Sequence, residues 1–371
     1  MLKAALIGCG KIADAHASQI IRIPGVEIVG ACDIEPLMVR QFMDRFPVRN
    51  GFTDVDELIK QARPDVIHVT APPHTHFTVA QKCLQEGCHV YVEKPFTLSE
   101  VEAQCLIDCA NRKGVRITAG HDDQFTHVAR RMRSLIASGY LGSGPVHMES
   151  YYCYNLGTTA YARAVLSDEQ HWVRQLPGGL LQNIISHGIA RIAEFLDGGE
   201  LDITALGFTS KELRHRGETQ LIDELRVIIC QPGRVTAYFT FSSQMRPGLH
   251  QFRLYGTENG LVLDHDQETL IRLPGRRLPS YAEIFISPVA LATQQVANVL
   301  TNVKTFLRSD FHMKSGMNFL IKSFYRAITD GAPDPIPHEE ILLTARIMDR
   351  IFSQLDSASS QSDMNLHCSV R

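Results

Sequence analysis

Over roughly the first 120 residues, short apolar runs alternate with stretches in which apolar side chains return every three or four positions. The runs are Leu2 to Ile7, VEIVGACD ending at Asp33, DVIHVTAPP from Asp65 to Pro73, HVYVEKP and VRITAG. Short runs of this kind are the pattern of strands buried on both faces of a parallel sheet. Between them HFTVAQKCLQEGC and EVEAQCLIDCANRKG read as helices closed by Gly87 and Gly114. This alternation predicts a doubly wound parallel α/β sheet, a Rossmann-type domain over residues 1–121.

Beyond about residue 121 the pattern changes. Strand-like segments at 145–155, 203–210, 221–230, 235–242, 250–255 and 261–263 are divided by turn signals such as QPGR, RPG and GTENG. No long helix separates the later ones, which predicts an α+β domain with a largely antiparallel open sheet over 122–357. Inside it Leu181, Ile184, Ile185, Ile189, Ile192 and Leu196 fall at helical spacing, after Pro177-Gly178-Gly179 and before Gly198-Gly199. Further helices are expected over 287–309, 317–331 and 338–355. The polar stretch 358–371 reads as a disordered tail.

Two domains suit 371 residues, and 44% apolar side chains fill their cores. A net charge of -3 gives no field toward nucleic acid or an anionic membrane. Nine cysteines without a C-x-x-C pair fit neither a disulfide framework nor a zinc site. The chain opens directly on a strand, and its apolar runs stay short of the ~20 residues of a membrane span. A cytoplasmic protein with no membrane or nucleic-acid partner is the expectation.

The first strand runs into GCGKIA, with Gly8, Gly10, Lys11, Ile12 and Ala13 opening a helix, and the second ends at Asp33. In strand–turn–helix context this reads as a dinucleotide site, with an ordinary tight βα turn as the alternative. Gly8 permits the tight turn, Gly10 lets a pyrophosphate approach, and Ala13 keeps the helix close to the strand. Asp33 can accept from the ribose hydroxyls and repel a 2'-phosphate, which favours NAD, with Arg40 leaving NADP open. Ligands in such sheets sit beyond the strands' carboxyl ends. Thr70, Pro72, His76, Glu93 and Lys94 all fall there. Glu93-Lys94-Pro95 is either a short solvated turn or a lysine held over a cofactor for proton transfer. His74 and His76 form an H-x-H pair with no third ligand apparent, so no metal site is expected.

The stretch TAPPHTHFTVAQKCLQEGCHVYVEKP resembles the signature of the glucose–fructose oxidoreductase / inositol dehydrogenase (Gfo/Idh/MocA) family. The resemblance is close from Leu2 to about Gly120 and looser to about Leu355. It implies that Lys94 is a catalytic or substrate-orienting residue beside the nicotinamide, with Glu93 and His76 near its ribose and Pro72 in the cleft wall. It also implies a substrate domain whose open sheet face builds a homodimer or homotetramer. Trp172, Gly178/Gly179 and Asn183-x-x-x-His187 follow the order of the family's second motif. By the resemblance, His187 exchanges a proton and Asn183 holds a substrate hydroxyl. Read from residues alone, Asn183 and His187 share a helix face that is otherwise a polar outer surface with Arg191 and Glu194. The family's usual residue at 183 is aspartate and at 185 glycine. Its Asn-Arg segment reads HDDQF here, with Asp122, Asp123 and Gln124. Tyr154, sharing a strand face with Tyr152, is either a sugar contact or core. Arg174, beside Trp172, either meets an anionic substrate group or is solvated.

The expectation is an NAD(P)-dependent oxidoreductase acting on a secondary alcohol of a sugar, nucleotide sugar or cyclitol. Lys94, His187 and Asn183 would do the chemistry, with Tyr154, Trp172 and Arg174 at the substrate. The alternatives are an NAD-dependent glycosidase working by transient sugar oxidation and a non-catalytic dinucleotide sensor.

Overall fold

The computed structural model describes residues 1–155, 160–275, 279–308 and 314–368. In chain order the first elements are β1 (Leu2–Ile7), α1 (Lys11–Ile20), β2 (Val26–Cys32), α2 (Pro36–Arg45), β3 (Asn50–Phe52), α3 (Val55–Ala62), β4 (Val66–Val69), α4 (His76–Gln85), β5 (His89–Val92), α5 (Glu100–Lys113) and β6 (Ile117–Ala119). Then come α6 (His127–Ala137), β7 (Pro145–Cys153), α7 (Ala160–Ser167), α8 (Gly179–Ile184), α9 (Ser186–Ala193), β8 (Asp202–Phe208), α10 (Lys211–His215), β9 (Glu224–Gln231), β10 (Val235–Ser242), β11 (Leu249–Gly256), β12 (Asn259–Asp264) and β13 (Thr269–Pro274). Three helices close the chain: α11 (Ser280–Leu307), α12 (Ser315–Thr329) and α13 (His338–Cys368).

These elements form two compact units. The first takes Met1–Asp123 together with Gly316–Arg346, and the second takes Gln124–Ser315 and Ile347–Arg371. A segment expected in the second domain, α12, therefore belongs to the first. Its Phe324 and Tyr325 are buried there, and Tyr325 bonds to β4.

The first unit carries a six-stranded parallel sheet in the order β3-β2-β1-β4-β5-β6. The strand order reverses beside β1, between β1 and β4, which makes that strand end the ligand crevice of an open α/β sheet. Its core lies in fully buried side chains such as Leu6, Ile67 and Val90. Local signals agree with the elements: Ser99 caps α5 by accepting from Glu102 N–H, and Gly114 ends it with φ +66°.

The second unit holds a seven-stranded sheet, β13-β12-β11-β7-β10-β9-β8. All its pairs are antiparallel except β7 with β10. One face packs on α9 through Phe239 and Ser150, whose hydroxyl donates to Gly188 O at 3.0 Å. The other face leaves Ile228 and Tyr238 exposed.

Three expectations about elements need correction. The single helix expected over 181–196 is two, α8 and α9, interrupted at Ile185. The helix expected from 287 begins earlier, at Ser280, and runs through Pro288. The tail expected to be disordered from 358 continues α13 to Cys368, because no proline or glycine stops it.

Candidate active site

The glycine turn is built as its spacing suggests, for two different reasons. Gly8 has φ +94°, and a Cβ there would lie 2.5 Å from Ala71 N. Its own N–H donates to Cys32 O at 2.8 Å. Only glycine lets β1 turn this tightly against the end of β4. Gly10 differs, since its φ of -77° suits any residue and a Cβ there would meet nothing within 4 Å. The protein's own packing therefore does not demand this glycine. The space it leaves stands at the N-cap of α1, whose first turn has no side-chain cap. An anionic group fits there, against helix N–H donors. Ala13 is fully buried, as close helix–strand packing requires, while Ile12 is half-buried and Lys11 exposed.

Asp33 closes the turn. Its carboxylate accepts from Cys9 N–H at 2.7 Å and Glu35 N–H at 3.0 Å, one bond on each oxygen. A carboxylate has about four lone-pair sites, so both oxygens keep capacity for ribose hydroxyls. Burial, and then this same carboxylate, push the Cys9 and Cys32 thiols up to about 12. The residues present thus fit a bound NAD.

Two expected cofactor contacts turn out to hold the scaffold instead. The Thr70 hydroxyl lies 2.7 Å from Gly8 O and 3.1 Å from Ile7 O, so it donates to the end of β1. His76 is fully buried, its ring between Ala71 O and Pro95 O at 2.8 Å each. Burial lowers its pKa, so the neutral ring donates to one carbonyl at a time. It ties the Pro72 turn to the Glu-Lys-Pro turn and offers no nitrogen to a ribose. Pro72 itself is exposed, as a cleft wall would be.

Behind Lys94 lies a buried polar chain. Glu93 is 5% exposed, and its Oε2 accepts from Lys94 N–H at 3.1 Å. Its Oε1 lies 2.8 Å from His16 Nε2. His16 Nδ1 lies 2.8 Å from His68 Nδ1, and His68 Nε2 lies 3.1 Å from the Tyr325 hydroxyl. An ionised carboxylate only accepts, so His16 Nε2–H donates to Glu93, and a single proton lies between the facing Nδ1 atoms of His16 and His68. Burial works to raise the Glu93 pKa, but the His16 bond and the charges of His16 and Lys94 outweigh it and hold it at about 2. Burial, then His16, pushes His68 well below 6.5, so it stays neutral. Tyr91 stacks on His68 at 5.0 Å. Gly120 gives Glu93 room, since a Cβ there would lie 2.9 Å from Oε1. His16, His68 and Tyr325 are site-supporting residues that sequence reasoning missed. A polar residue in an apolar run, such as His68 in VIHV, was the available signal.

Lys94 itself is half-buried at the end of β5, with a cis peptide bond to Pro95. Nearby in the same unit, burial together with Asp123 and Glu93 raises the Asp122 carboxyl well above its ordinary range.

In the second unit, the run Leu180 to Ala193 is buried on nearly every side. Arg191, expected on a polar outer face, is 3% exposed. Within this run only Asn183 and His187 are half-open. Gly188 brings α9 against β10, where a Cβ would lie 2.4 Å from the Phe239 ring. The break at Ile185 leaves the bonds from Ile185 N–H to Leu181 O and from Ile189 N–H to Ile185 O intact, so the two side chains keep one direction. Tyr152 stacks over His187 at 6.2 Å and 26°, and Tyr154 meets Tyr152 edge-on at 5.6 Å. Tyr151 points to the other face, under Arg253. Tyr152, on the same strand alternation as Tyr154, is the ring stacked on His187.

Trp172 is half-buried beside His171. Arg174 is turned elsewhere. It donates to Val165 O at 2.8 Å and pairs with Glu218 at 2.6 Å. Although burial opposes it, the N–H groups of Leu221 and Gln220 and the Arg174 guanidinium hold Glu218 below its ordinary value. Arg174 and Glu218 line a cavity of about 550 Å³ that does not include Asn183 or His187. The guanidinium expected to meet a substrate anion is occupied by a carboxylate of its own chain.

Residues 2–121 match the Gfo/Idh/MocA family profile, described as an oxidoreductase family with an NAD-binding Rossmann fold. A 1-carboxy-3-chloro-3,4-dihydroxycyclohexa-1,5-diene dehydrogenase of Comamonas testosteroni is 28% identical over 205 residues, 55% of this chain and 50% of that protein. A glucose-6-phosphate 3-dehydrogenase of Bacillus subtilis is 34% identical over 143 residues, 38% of this chain and 40% of that protein. The chain thus matches half or less of the length of these curated relatives. Among solved structures, a dehydrogenase of Bordetella pertussis in complex with NADH and UDP-GlcNAcA superposes with a TM-score of 0.76 over 96% of each chain, at 14% identity. That likeness is one of fold. Residues 2–121, with the glycine turn and the Glu-Lys-Pro strand end in place, thus match the NAD-binding Rossmann domain of the Gfo/Idh/MocA oxidoreductase family.

Proposed function

We propose that the protein is an NAD-dependent dehydrogenase or reductase of a secondary alcohol in a sugar, nucleotide sugar or cyclitol. The observation that carries this reading is the carboxyl end of the parallel strands. There β1 presents the open glycine turn with Asp33, and β5 presents a half-buried lysine backed by a carboxylate held ionised. The chemistry of the relatives, a sugar-phosphate and a cyclic diol, supports the substrate class.

NAD, when bound, supplies the two-electron acceptor. Lys94 donates to the substrate oxygen and stabilises charge developing on it. Glu93, ionised, holds the Lys94 backbone through its N–H. His187 accepts the hydroxyl proton, a role suited to a side chain that titrates near neutrality. Asn183, being neutral, orients a hydroxyl without adding a charge of its own. Tyr152 and Tyr154 offer ring faces to an apolar sugar face. Assembly into a homodimer or homotetramer accords with the exposed Ile228 and Tyr238 on the open sheet face.

The test is calorimetric titration of the purified protein with NADH and with NADPH, followed by an absorbance screen of sugars, nucleotide sugars and cyclitols. Tight NADH binding with much weaker NADPH binding is expected. No binding of either would overturn the reading. Glycoside cleavage without net NADH formation would replace it with a glycosidase.

A further inference from the structure

Helix α11 is docked by its polar side and shows its apolar side. Its amides seal the edge strand β13: Asn298 accepts from Leu270 N–H at 3.4 Å and donates to Leu270 O at 3.1 Å. Gln294 does the same for Arg272, at 2.8 and 3.1 Å, and Asn302 donates to Gln267 O at 2.9 Å. Residues 294, 298 and 302 are four apart, so they form one stripe. This protects an otherwise open sheet edge.

On the opposite side, Phe285, Val289, Ala292, Val296, Val299, Val303 and Phe306 recur at alternating spacings of four and three. That is an unbroken heptad seam, with valine at every a position. At 3.6 residues per turn its centre lies roughly 140° from the amide stripe. Excepting Ala292, which is also exposed, these side chains are each 50–74% exposed. With the flanking Leu300 and Leu307, the helix leaves on the order of 1,000 Å² of apolar surface in water. A stable interface needs about 800 Å² per partner, and the largest patch on a typical monomer is roughly 300–600 Å².

We infer that this face is an interface with a second copy of the same chain, formed by α11 packing on α11 along the heptad seam. A seven-residue repeat is the pattern of a partner helix rather than of lipid, which asks for no register. By length and composition Tyr281–Leu307 would also cross a membrane. However, its amides are bonded to β13, and the helix carries Lys304 as its single cation, where surface-bound helices carry a basic polar face. Depletion of charge is what the core of a homodimer interface shows.

The experiment is sedimentation velocity of the full chain, 41.5 kDa, at tens of micromolar, alongside the variant Val296→Glu/Val303→Glu. Both positions are exposed, so the fold of one copy does not need them. Expected is a wild type at two or four times the chain mass and a variant at half the wild-type mass with unchanged circular dichroism. Should the double variant be insoluble, Val299→Asn gives the same reading. A monomeric wild type, or a variant that keeps the wild-type mass, would overturn the inference. So would wild type floating with phosphatidylcholine/phosphatidylglycerol vesicles while the variant does not.

Discussion

At the residue scale, two glycines two positions apart answer to different demands. Gly8→Ala puts a methyl into the Ala71 backbone at a positive φ, so about 2 kcal/mol or more of stability should go, read as a fall in Tm. Gly10→Ala meets nothing in the protein, so Tm should hold while NADH affinity falls at least about tenfold. Equal loss of stability in both would mean that Gly10 serves packing alone. Lys94→Ala should cut turnover by ~100-fold or more while leaving NADH binding near wild type. Near-normal turnover would remove the lysine from the chemistry.

At the element scale, one hydrogen-bonded chain joins α1, β4, β5 and α12. His16 on α1 lies between Glu93 and His68, so His16→Ala orphans a buried carboxylate and a buried imidazole at once. The cost should reach several kcal/mol, of the order found when one partner of a buried charged pair is removed. His16→Asn, able to bond only one of the two, should lie between. Denaturant unfolding would measure both, and a neutral His16→Ala would show that the chain is not stabilising. Gly188 plays the comparable part for α9, which no alanine could hold so close to Phe239 without moving the ring.

At the scale of the whole molecule, these buried groups set the acid response. His68 and His76 have folded-state pKa values depressed below 6.5, so the unfolded chain binds protons that the folded chain does not. Stability should therefore be full above about pH 7 and fall as pH drops through the unfolded value near 6.5. Glu93, held at about 2 against an ordinary 4.5, adds a second loss as pH falls from about 4.5 toward 2. Tm measured between pH 8 and 3 should show both stages, and His68→Asn should flatten the first. A flat profile between pH 7.5 and 5.5 would contradict the neutral, buried histidines.

The parallel sheet, the glycine turn with Asp33 and the place of Lys94 at a strand end were all legible in the order of residues. These rest on local periodicity and on residues within a few positions of one another. The sequence also singled out Asn183 and His187, although by resemblance, since their spacing alone read as a polar outer face. Tertiary structure decided what depends on contacts far apart in the chain. It buried α8 and α9 all round except at those two side chains, turned Arg174 onto Glu218, and used Thr70 and His76 as ties. It brought Tyr325, 257 positions from His68, to complete the chain behind Lys94. It also set the amides of α11 against β13, which left the heptad seam facing outward. Periodicity shows that a helix has an apolar stripe, but not which side the rest of the protein will cover, because that depends on which neighbour offers unpaired backbone groups.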